Sequence, residues 1–126
     1  MTGPSPADTP PTPPILRELL WPATDLDAAL SFYVDGLGMP LKFRDGDRFA
    51  AVAAADDVTL ALVAGTEAVT GSIPAPAYRV GDLAAAVRRA QDAGAIVVMR
   101  GEEGAHEKRA VLRDPAGHLL VLYQPT

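Results

Sequence analysis

The chain has 126 residues, a formal net charge of −5, 48% hydrophobic residues and no cysteine. This is one domain's length, with enough surface to bury that no covalent staple is needed, and disulfides, thiolate metal sites and a cysteine nucleophile are excluded. An acidic chain without a basic stripe does not suit nucleic acid, no apolar run nears the ~20 residues of a membrane helix, and no signal-peptide pattern opens the sequence, so the expectation is a soluble cytoplasmic protein.

Residues 1–14 hold six of the twelve prolines and read as an extended tail. From Ile15 the pattern is that of a folded domain, 15–126. ILRELLW reads as a strand closed by Pro22. TDLDAALSFYVDGLG reads as a helix capped by Thr24 or Asp25, with Leu26, Ala29, Leu30 and Tyr33 at helical spacing and Gly36 and Gly38 at its end. PLKFR, RFAAVAAA and VTLALVA follow as strands, joined by the DGD turn and by Asp56-Asp57. The same order then recurs: strand AYRV, helix GDLAAAVRRAQDAGA, strand IVVMR, an acidic loop GEEGAHE, and a hairpin of KRAVLR and HLLVLY across the turn DPAG.

Each half, about 15–65 and 76–125, therefore reads βαβββ, and DLDAAL and DLAAAV head equivalent helices. One helix covers only one face of a half's sheet. Two halves can join into one curved mixed sheet with helices outside and a cleft inside, an α+β architecture. The last strand, LLVLY, is apolar on both faces because a helix covers one and the cleft meets the other.

The segments DLDAALSFYVDGLGM and RDPAGHLLVLYQP, in that order with the repeat between them, resemble the vicinal oxygen chelate superfamily of glyoxalases, bleomycin-resistance proteins and extradiol dioxygenases. The resemblance implies paired βαβββ modules, usually in homodimers, with the ligand in the cupped sheet. The cleft is built within one chain in some relatives and across the dimer in others. Metal-dependent members place ligands on four cleft-facing strands. Transferred onto this chain, those positions fall on Glu18, Ala61, about Ala75, and Val121, where the family uses His, Gln or a carboxylate. Only Glu18 could coordinate, too few for zinc or an octahedral cation, so the expectation is a greasy cleft with no metal or other cofactor.

Strand alternation puts Glu18, Leu20 and Pro22, then Thr59, Ala61 and Val63, then Ala75, Ala77 and Arg79, then Leu119, Val121 and Tyr123 on the cleft side. The candidate ligand-binding residues are Glu18, Leu20, Trp21, Phe49, Thr59, Ala61, Val63, Arg79, His106, Val121 and Tyr123. Among apolar neighbours Glu18 would have a raised pKa and could serve as acid or base; it could equally pair with Arg79 or with the partner subunit's Arg17. Arg79 can clamp an anionic or carbonyl group, or simply end its strand. Tyr123, Trp21 and Phe49 can stack on a planar ligand, although Trp21 is out of phase with the cleft. His106 sits in a loop able to fold over the cleft, and His118 reads as part of its turn. Phe32 and Tyr33 read as core.

The first functional expectation is a metal-independent protein that sequesters a bulky, partly aromatic natural product, as antibiotic-resistance members of the resembled family do. The second is a metal-independent isomerase or lyase using Glu18 as acid or base. The third is a metal-dependent enzyme of the glyoxalase or dioxygenase type. A composition rich in Ala, Asp, Arg, Gly and Pro suits a bacterium of high GC content.

Overall fold

In the computed structural model the residues described are 12–103 and 107–125. Nearly all of the proline-rich tail, and His106, lie outside them. The first module comprises β1 (Ile15–Pro22), α1 (Leu26–Leu30), β2 (Leu41–Asp45), β3 (Phe49–Ala55) and β4 (Val58–Val63). The second comprises β5 (Ala75–Arg79), α2 (Leu83–Asp92), β6 (Ile96–Glu103), β7 (Glu107–Arg113) and β8 (Leu119–Pro125). The fold is α+β, with two βαβββ repeats.

All eight strands form one sheet in the order β2-β3-β4-β1-β5-β8-β7-β6. Within each module the first and last strands run parallel, β1 beside β4 and β5 beside β8. The modules meet where β1 and β5 pair antiparallel, so both belong to one continuous sheet in a single chain. Pro76 lies in β5 without an amide hydrogen to give. It pairs with Leu19 of β1, and the β8 ladder begins one residue later, at Ala77.

The two helices start by the same device. Asp25 Oδ1 accepts from the Ala28 amide at 3.1 Å, and Asp82 Oδ1 accepts from the Ala85 amide at 3.0 Å. After Leu30 the first helix widens into a π-helical stretch, Ser31–Gly36, in which the Leu37 amide donates to the Phe32 carbonyl. The widening turns side chains away from their α-helical positions. Tyr33 packs on the core, but Phe32, expected there too, is 57% exposed and meets Tyr33 edge-on.

The outer face of the sheet carries two apolar clusters. One joins Leu26 and Leu30 of α1 to Ala50, Val52, Leu60 and Leu62; the other joins Leu83, Ala86 and Val87 of α2 to Ala110, Leu112 and Leu122. The inner face carries a third, of Leu20, Ala61, Val63, Ala77, Val111, Val121 and Tyr123, with Ala68 and Val69 of the inter-module linker packed against it. β8 thus serves both sides: Leu120 and Leu122 face α2 while Leu119, Val121 and Tyr123 face inward.

The DPAG turn is held by Asp114, whose Oδ1 accepts from the amides of Ala116 and His118, both at 2.9 Å. Those bonds hold its carboxyl below the usual carboxylate range. Of the acidic loop expected over 101–107, β6 runs to Glu103 and β7 begins at Glu107, with Glu103 paired to Lys108; the residues between them lie outside those described.

Leu112 is fully buried beneath α2, whereas Ile96 on the edge strand is 65% exposed. Replacing Leu112 with Ala is expected to cost about 2–5 kcal/mol in urea denaturation, and Ile96→Ala less than about 0.5 kcal/mol.

Candidate functional site

Backbone register decides which inner-face residues stand side by side. Glu18 of β1 is flanked by Thr59 of β4 and Ala77 of β5, and Ala77 is flanked by Val121 of β8. Ala61 and Ala75, two of the other positions transferred from the family, flank Leu20 one inward-facing position along. The four transferred positions, Glu18, Ala61, Ala75 and Val121, offer a single carboxylate. Thr59, beside Glu18, adds a hydroxyl, but its Oγ1 already accepts from Lys42 Nζ at 2.8 Å. Among the described residues no three His, Cys, Asp or Glu side chains are placed to hold a metal ion. The residues do not fit the family's metal.

Beside this row lies a cavity of about 180 Å³, lined by Glu18, Leu20, Phe43, Asp45, Arg48, Phe49, Val63, Glu67, Glu107 and Arg109. β1 supplies its floor, the β2–β3 hairpin and the linker one wall, and β7 the other. The rings of Phe43 and Phe49 stand 6.3 Å apart. Arg109 Nη1 lies 3.2 Å from Glu67 Oε2 and 3.9 Å from Glu107 Oε1, which ties the linker to β7 across the inner face. Arg109 Nε is buried with no hydrogen-bond partner, a costly state for a donor. Arg48 grips Asp45 at the rim, at 2.7 Å.

Burial first, and the nearby Glu107 charge second, push the Glu18 carboxyl up to about 7, against the pull of Lys42 and Arg109. The same burial, with Glu18 and Glu107, pushes the Tyr123 hydroxyl up to about 12. Glu18 forms no ion pair among the described residues. Arg79, one expected partner, is an exposed residue at the end of β5, paired across the ladders with Ile15 and Tyr123; Arg17 of this chain faces Asp57 at 3.9 Å.

Of the residues singled out from sequence, Glu18, Leu20, Phe49 and Val63 line the cavity. Ala61, Val121 and Tyr123 lie in the buried inner cluster, and Thr59 adjoins Glu18. Trp21 is 37% exposed and out of phase with the inner face, and Arg79 is not in the cavity lining. The greasy inner face exists, but it is largely filled by its own side chains and the linker, and the open space beside it is charged. Sequence reasoning missed Phe43, Asp45, Arg48, Glu67, Glu107 and Arg109. Alternation along β7 could have found two of them, since Arg109 and Glu107 precede Val111 at intervals of two on the face away from Leu112. Nothing local marks Glu67, which reaches the site only because the linker crosses the sheet.

The sequence profile of the glyoxalase/bleomycin resistance protein/dioxygenase superfamily matches residues 16–122. The chain belongs to this superfamily. An uncharacterized protein of Mycolicibacterium smegmatis is 36% identical over 101 residues, which span 80% of this chain and 85% of that protein. Among solved structures of the superfamily's fold, methylmalonyl-CoA epimerase from Mycobacterium tuberculosis is 26% identical with a TM-score of 0.66, covering 88% of this chain and 87% of that one. A variant of homoprotocatechuate 2,3-dioxygenase from B. fuscum is 24% identical with a TM-score of 0.59, covering 92% of this chain and 34% of that one.

The Glu18 carboxyl titrates near 4.5 in the unfolded chain and near 7 in the folded one, so the folded chain holds this proton more tightly. Its contribution is fully present below pH 4.5 and is lost as pH rises through about 7, by roughly 3 kcal/mol in all. Subtracting the Glu18→Gln stability curve from that of the unsubstituted chain is expected to isolate this decline; a difference flat across the window would contradict it.

Proposed function

We propose that this superfamily member binds a small organic molecule in the inner-face cavity and that Glu18 exchanges a proton with it, without a metal. The observation that carries the reading is a half-buried carboxyl, pushed up to about 7, beside apolar side chains and a paired arginine. A group poised near the working pH can both take and return a proton. As carboxylate, Glu18 would remove a proton from a carbon next to a carbonyl, and the resulting enolate charge would be opposed by Lys42 and Arg109. As carboxylic acid, it would return that proton to the same or the neighbouring carbon. The outcome is an epimerised or isomerised ligand, with nothing oxidised or reduced.

Size and charge narrow the ligand. A volume of about 180 Å³ is below the roughly 300–1,000 Å³ of pockets that enclose drug-sized ligands, which favours a compact molecule over a bulky antibiotic. The lining carries four acids against two arginines, and each arginine is paired, so a neutral or cationic ligand suits it better than an anion. The similarity to methylmalonyl-CoA epimerase, a protein named for moving a stereocentre, supports the proton-transfer class. Sequestration without turnover is the second reading, supported by the Phe43–Phe49 pair at the cavity.

Deuterium exchange into a panel of small neutral ketones and acyl thioesters, followed by proton NMR, separates the two. Exchange is expected to be catalysed, with a pH inflection near 7, and to fall at least about 100-fold in Glu18→Gln. Panel members that bind equally to both proteins with no exchange in either would leave sequestration standing and remove the proton-transfer reading.

A further inference from the structure

On the opposite face of the sheet, the first turn of α2, the end of β8 and the outer side of β6 and β7 enclose a groove of about 560 Å³ that shares no lining residue with the inner cavity. Three cations converge on it: Arg88 from α2, Arg100 from β6 and Lys108 from β7. Arg17, Arg44, Arg48 and Arg109 are matched to carboxylates, and Lys42 and Arg113 are hydrogen-bonded to Thr59 and to the Gly117 carbonyl. Among the described residues the side chains of Arg88, Arg100 and Lys108 make no ion pair and no hydrogen bond; the same holds for Arg79 and Arg89, but those two do not line the groove. A chain of net charge −5 has acids to spare, yet among the described residues only Asp82 lines this groove with them, and its Oδ1 is engaged as the cap of α2.

The helix end is not the attraction. The Leu83 amide donates to Gln124 Oε1 at 2.9 Å and the Ala85 amide donates to Asp82, so two of its donors are already used. What remains is a positive rim over a floor that includes Leu83, Val87 and exposed Ala84.

From this we infer a second small-molecule site, for an organic anion that carries a phosphate or carboxylate beside an apolar body. The charged group sits among Arg88, Arg100 and Lys108, and the apolar part lies along α2. The site is independent of Glu18.

Phenyl phosphate is the probe, titrated into uniformly 15N-labelled protein. Saturable shifts of the Gly81, Leu83, Ala84 and Gln124 amides are expected. Affinity should weaken at least about tenfold in the double variant R88Q/K108Q and at raised salt, and stay unchanged in Glu18→Gln. Both substituted side chains are exposed, so the fold should survive; an unchanged amide spectrum of the free variant checks this. The inference is overturned if these amides do not move by about 10 mM probe, if phenol moves them as phenyl phosphate does, or if R88Q/K108Q binds like the unsubstituted chain.

Discussion

The antiparallel seam between β1 and β5 is the constraint on which the rest of the molecule depends. Each module brings a helix for only one face of its four strands. Joined at the seam, the modules make one sheet whose inner face can close over a shared apolar cluster, Leu20 and Ala61 from one side and Ala77, Val121 and Tyr123 from the other. The small side chains of Ala75 and Ala77 let the larger inward residues of β1 and β8 meet over the seam. Glu18 sits on it, opposite Ala77, and its burial there follows from the pairing that holds the two halves together.

A carboxyl at such a place is costly to ionise, and two features moderate the cost without removing it. Lys42 and Arg109 draw Glu18 toward its charged form, while Glu107 opposes them. Arg109 is in turn held by Glu67 of the linker and by Glu107. The linker is therefore more than a connection between repeats: it caps the inner face with Ala68 and Val69 and contributes a charge to the site. Glu18 is flanked in the sheet by Thr59 and Ala77, so the proposed proton exchange rests on its carboxyl alone.

Much of the fold was legible because it rests on local, periodic signals. The repeated Asp-Leu helix starts, the DPAG turn and the doubly apolar last strand each have a cause within a few residues: a side-chain cap, an aspartate-anchored turn, a strand covered on both faces. Glu18 and Val121 could be placed because a nearby signature sets their register. Pairing across the linker is a tertiary fact, and the alternation of a strand gives its phase but not its offset, so which residues stand directly beside Glu18 could not be read from the sequence. Phe32 escaped because widening of a helix by i→i+5 bonding leaves no mark in the spacing of apolar residues. Arg109 and Glu67 meet 42 residues apart in sequence, through packing of the linker on the sheet.

The central claim is that the inner face holds one carboxyl whose proton is lost near neutrality. Carbon-13 NMR of glutamate side-chain carboxyls, followed through a pH titration, measures this directly. The expected result is one resonance titrating near 7 that disappears in Glu18→Gln. A Glu18 resonance titrating near its ordinary value of 4.5 would contradict the claim.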